Sequence, residues 1–112
     1  MYVGVCRLTL IVPGARSLKD KRSALRKIKD RTAAKLHVQI AEVGAQDVWQ
    51  KAVVGFAVVS ASGAHVESVV DSVVRFVAAT GAAQIVGDDR DVQQFEDGDF
   101  PPPGEWVNGK FD

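Results

Sequence analysis

The sequence predicts an α+β sandwich in which two helices cover one face of a four-stranded antiparallel sheet. Three observations carry that prediction. Apolar residues alternate with period two in the first and middle parts of the chain, and recur with helical period in two stretches between them. Residues with turn chemistry punctuate the boundaries. At 112 residues the chain has room for one hydrophobic core.

The first element is a strand over residues 2–12. Cys6, Leu8, Leu10 and Val12 fall on one face and Val3, Val5, Arg7, Thr9 and Ile11 on the other. Pro13 and Gly14 end it. Ser17 precedes Asp20 by three residues, the spacing of a helix N-cap with an acid reaching back to it. Leu18, Leu25, Ile28, Thr32 and Leu36 then share one helical face. Lys19, Arg26 and Lys27, with Asp30, lie on or near the opposite side, while Lys21 projects close to the apolar stripe. A lysine so placed either snorkels toward a helix end or points into a site. Residues 37–44 and 51–61 read as two strands joined through Ala45–Gln50. The second is apolar on both faces, which places it inside the sheet or under cover on both sides. Val66, Val69, Val70, Val73 and Val77 define a second helix that Gly81 terminates, against the modest helix propensity of valine. A short strand over about 82–88 completes the order β-α-β-β-α-β, the pattern of a ferredoxin-like sandwich.

That architecture leaves one sheet face without cover. Val3, Val5, Val53, Ala57 and Val59 are the candidates for it, with Trp49 as a hydrophobic plug at a core edge or a subunit seam, and an apolar patch of this size marks an interface. A homo-oligomer, with a dimer favoured, is the expected state. Residues 1–92 form the expected domain. Residues 93–112 form an acidic, proline-bearing, non-periodic tail, in which Phe95, Phe100, Trp106 and Phe111 are candidate anchors.

Net charge is zero but divided. Residues 1–35 hold ten Lys and Arg against Asp20 and Asp30, whereas residues 86–112 hold eight acids against Arg90 and Lys110. A chain so polarised meets an anionic partner or neutralises itself within or between subunits. The single cysteine excludes an intrachain disulfide. Absence of a signal-like start, and of any apolar run near the ~20 residues of a membrane helix, point to a cytoplasmic protein without membrane association.

Three segments, "MYVGVCRLTLIVPGARSLKDKR", "AEVGAQDVWQKAVVGFAVVS" and "HVESVVDSVVRFV", resemble the YlxP-like family, a bacterial family of unknown function. The resemblance spans about residues 1–90 and stops before the tail. It implies a ferredoxin-like fold and a small cytosolic protein of no established activity. Family members are often encoded beside translation and ribosome-maturation factors, an association that carries no mechanism.

The residues themselves offer one strong binding candidate, the stretch from Pro13 through the first helix. Arg16, Lys19, Lys21, Arg22, Arg26, Lys27, Lys29 and Arg31 are its cations, at and beyond a helix N-terminus that suits phosphate. The competing reading is a solvated face that balances the acidic tail. Sequence-specific RNA reading is not expected, because the open face lacks stacking aromatics and the chain has no G-x-x-G. Glu42 and Asp47 are candidates to pair with Arg7 or Lys21 in a buried polar cluster. His37 and His65 have no ligand spacing, so no metal is expected, and no phosphate-loop, dinucleotide or nucleophile-elbow motif implies a cofactor or catalytic residue. An acylphosphatase needs a catalytic asparagine, and the single asparagine, Asn108, lies in the tail. Three functions follow as expectations: a non-enzymatic RNA- or ribosome-associated factor, a self-assembling module whose tail meets its own basic helix or a neighbour's, and an enzyme acting on a phosphorylated small molecule at residues 14–22.

Overall fold

The computed structural model describes residues 1–101. Element order is β1 (Tyr2–Ile11), α1 (Leu18–Leu36), β2 (Ala41–Gly44), β3 (Lys51–Ser60), α2 (Gly63–Ala79) and β4 (Gln84–Gln94), followed by one 3-10 turn at Asp97–Asp99. The strands form one antiparallel sheet in the order β2-β3-β1-β4, with the two helices on one face. This is the α+β ferredoxin-like sandwich that the periodicities predict.

Its core lies between the sheet and the helices. Cys6, Leu8 and Leu10 of β1 and Ala52, Val54 and Phe56 of β3 meet Leu25 and Ile28 of α1 and Val66, Val70, Val73 and Val77 of α2. The second helix packs close on Gly4 of β1, where a Cβ would overlap a Val66 methyl, so no larger residue fits there without moving α2. Both helices begin on a serine cap. Ser17 Oγ accepts from Asp20 N–H at 3.1 Å, and Asp20 Oδ2 accepts in return from Arg16 N–H at 2.9 Å. Ser62 Oγ accepts from His65 N–H at 3.2 Å.

Two stretches differ from the sequence reading. Residues 37–40 are not strand. His37 caps α1 in the left-handed region at φ 56°, and Val38 and Ile40 enter the core on a link that pairs with no strand, so only Ala41–Gly44 pairs with β3. Alternating burial is all the sequence shows of that link, and alternation does not require a neighbouring strand. The last strand is longer than read, running on from Asp88 to Gln94 along β1. Its acids look like tail by composition, but an edge strand tolerates charge and is protected by it. Arg7 and Arg90 neutralise part of it, on Asp89 and Asp88 respectively.

Beyond β4 the chain stays tied to the start of β1. Phe95 N–H donates to Met1 O at 2.7 Å, the N-terminal ammonium donates to Phe95 O at 3.0 Å, and the Phe95 and Phe100 rings lie 6.1 Å apart. Trp106 and Phe111, the other two expected anchors, lie outside the described residues. Among the described residues no helix is long and apolar enough to cross a membrane, and no group of His, Cys, Asp and Glu side chains is placed to hold a metal.

Candidate functional site

The first helix separates its cations into two kinds. Lys21 is turned inward and 1% exposed. Its ammonium lies 3.0 Å from Glu42 Oε2 and donates to the carbonyls of Ala45, Gln46 and Lys51 at 2.9, 3.2 and 3.4 Å. The contact with Glu42 is an ion pair by distance, too oblique to count as a hydrogen bond at Oε2. So Lys21 does not stand with the outward cations among which the sequence reading placed it. Its apolar stem lies in the buried stripe and its head is fully occupied by the β2–β3 connection. Of the two pairings considered for Glu42, this is the one formed. Arg7 instead meets Asp89 on the open sheet face, at 3.1 Å.

The other cations face outward. Arg16, Lys19, Arg22, Arg26, Lys27 and Arg31 are exposed and Lys29 is half-buried. At ~100° per residue, Lys19, Arg22, Arg26 and Lys29 fall within one ~80° arc and form a row ~15 Å long. Lys27 and Arg31 lie on the other flank. No carboxylate of the described residues pairs with any of these seven side chains. The Asp20 carboxylate sits at the start of the helix, where it accepts from the N–H of Arg16 just ahead of the cap. A groove of about 240 Å³ beside it is lined by Pro13, Gly14, Asp20, Ser23 and Lys27 among others.

The acids gather at the other edge. Arg90 of β4 lies on the helix side of the sheet, where it holds Asp88 through two bonds of 2.9 and 2.7 Å and Asp71 of α2 at 3.4 Å. Asp71 also pairs with Arg75 at 2.7 Å. The adjoining cleft, about 540 Å³, adds Glu67 and Asp91, so its only cation is neutralised and its field repels anions. The ion-paired acids Asp71, Asp88 and Asp89 thus lie on and beside β4, while Asp20 and Asp30 are exposed on α1 itself.

Cys6 borders this acid cluster. Its thiol donates to Asp88 Oδ1 at 3.7 Å, and burial together with the Asp88 charge pushes its pKa from 9.0 up to about 11. The unfolded thiol ionises near 9.0 while the folded one holds its proton, so folding loses stability as pH rises through that window. A Cys6→Ala variant should lack this component. The expected result is a flatter dependence of unfolding free energy on pH between about 9 and 11 than in the wild type. Parallel curves from denaturant titrations would exclude it.

On the uncovered sheet face Val5 and Val59 are 48% and 62% exposed, Ala57 is exposed, and Val3 and Val53 are half-buried. Val43 and Val86, which the sequence reading missed, are each 57% exposed. They are the unpaired residues where β2 and β4 slip in register. Trp49 is not a plug over the core but stands 45% exposed on the β2–β3 connection.

Residues 3–90 match the family described as "Protein of unknown function (DUF503)". The chain belongs to this DUF503 family. It is similar to the uncharacterized protein YlxP of Bacillus subtilis (strain 168), 37% identical over 75 residues, which cover 67% of this chain and 82% of that one. The YlxP-like resemblance of the sequence is thereby established. The DUF503 match takes in all of α1, both flanks of its cationic row and the Lys21–Glu42 pair, and it ends within β4 at Arg90. Phe95 and Phe100 fall beyond it.

Proposed function

We propose that this DUF503 protein is a non-enzymatic RNA- or ribosome-associated factor that holds backbone phosphates on the outward cations of α1. The observation that carries the reading is the row Lys19, Arg22, Arg26 and Lys29, flanked by Arg16, Lys27 and Arg31, none paired with a carboxylate of the described residues. Internal neutralisation by the described acids would predict ion pairs on this surface. The four described acids that form ion pairs, Glu42, Asp71, Asp88 and Asp89, do so with Lys21, Arg75, Arg90 and Arg7. Arginine grips phosphate oxygens with two hydrogen bonds and lysine adds charge, so binding of this kind follows backbone and shape rather than base sequence. The test is binding of the full chain to RNA across a salt series. Affinity should fall linearly in log–log form as salt rises. No binding at low salt would remove the proposal.

A second reading concerns assembly. The exposed Val5, Val43, Val59 and Val86 favour a homodimer joined through the uncovered sheet faces. Four strands ~4.8 Å apart and up to ~33 Å long offer roughly 600 Å² per subunit, the lower end of what a stable interface buries. Sedimentation should then show a dimer that Val5→Lys converts to monomer. A wild-type monomer throughout the micromolar range excludes it.

A further inference from the structure

Trp49 lies on a connection that hydrogen bonds tie to the start of α1 from two sides. Val12 N–H donates to Gln50 O at 2.8 Å, and Gln50 Nε2 donates to Ala15 O at 3.4 Å. Both backbone and side chain of the residue after Trp49 are thus fixed to the loop that leads into Arg16 and the α1 cap. From the other side, Lys21 holds the carbonyls of Ala45 and Gln46, and Val48 N–H closes the turn on Ala45 O at 3.1 Å. Ala45 is kept at φ 55°, a left-handed conformation that a non-glycine residue adopts at a cost. The turn is therefore built to one shape, and the shape leaves an indole at 45% exposure, next to an equally exposed Val48, with no aromatic partner among the described residues.

From this juxtaposition we infer that Trp49 is a stacking platform for an unpaired base, and that the α1 surface takes single-stranded RNA in preference to duplex. The inference rests on the phosphate-binding reading of α1 and adds the class of strand. A duplex hides its base faces in its own stack, whereas a single strand offers them, and every base has a face to lay on an indole. Arg16, Lys19 and Arg22 would hold the phosphates that flank the stacked nucleotide. The turn that carries the indole is fixed before binding, so little backbone ordering cost falls on the protein side.

Stacking and charge respond differently to salt, and that separates them. Trp49 and Trp106 are the two tryptophans, so the fluorescence work uses a Trp106→Phe background. Adding a ten-residue oligouridylate should quench Trp49 emission, and an RNA duplex of the same length should not. Trp49→Ala should weaken oligouridylate binding about 5- to 100-fold without changing the slope of log affinity against log salt. Trp49→Phe, which keeps a ring and guards against a misfolded variant, should retain most of the affinity. Equal binding of duplex and oligouridylate, or an unaltered Trp49→Ala affinity, would overturn the stacking role while leaving the phosphate reading intact. Failure of every RNA at low salt would remove both. Trp49 emission that changes with protein concentration in the absence of RNA would assign the indole to a subunit contact and overturn the inference.

Discussion

Lys21→Met should destabilise the protein by about 3–5 kcal/mol, the cost of removing one partner of a buried ion pair. Methionine replaces the stem that lies in the core stripe, so the apolar packing is largely kept and the loss falls on the ammonium. Glu42, whose side chain is 19% exposed, is left as a carboxylate without its cation. The carbonyls of Ala45, Gln46 and Lys51 lose their shared donor at the same time. For a domain of this size the melting temperature should fall on the order of 15–30 °C. Lys19→Met is the control, two residues away and exposed, and should shift stability by no more than about 0.5 kcal/mol. Adding Glu42→Met to Lys21→Met should recover part of the loss, since it removes the stranded charge, though not the share owed to the three carbonyls. If Lys19→Met and Lys21→Met melt together, the buried position of Lys21 has no energetic weight.

How far the sequence could reveal this depends on the kind of signal involved. The paired faces of β1 and the stripes of α1 and α2 are periodic, and periodicity survives without knowledge of neighbours. Lys21 stands out by its angle on α1, which shows that it is unusual but not what it meets. Its partners lie 21 to 30 residues on, and nothing local marks the carbonyls of Ala45, Gln46 and Lys51 as acceptors. The second half of β4 was hidden for a different reason. Asp88, Asp89 and Asp91 weigh against a strand on propensity, and only the pairing with β1 and the bonds from Arg7 and Arg90 explain them. Trp49 was hidden because the sequence predicts burial for an indole by default, whereas its direction depends on the turn that Lys21 and Gln50 hold.

Neutralising Arg16, Lys19, Arg22 and Arg26 together to glutamine should weaken single-stranded RNA binding on the order of 10²–10³-fold at 0.1 M salt. Each phosphate contact contributes about 0.7 to the slope of log affinity against log salt on a single strand, so four lost contacts should make the slope shallower by ~2.8. All four side chains are exposed and unpaired among the described residues, so the fold should not suffer. A small gain is expected instead, because cations at a helix N-terminus oppose the helix dipole, and in the first turn of α1 only Asp20 has the favourable sign. Arg16 and Lys19 are thus poor choices for stabilising α1 and good ones for meeting an anion, which is why their charge calls for a role outside the fold. Arg7→Gln supplies the contrast. It removes a cation from the sheet face, where Asp89 already pairs with it and such an exposed pair adds little to stability. Its RNA affinity and salt slope should match the wild type. Should Arg7→Gln lower affinity as much, per charge removed, as the four α1 changes do, binding would follow net charge alone and the row on α1 would have no special part in it.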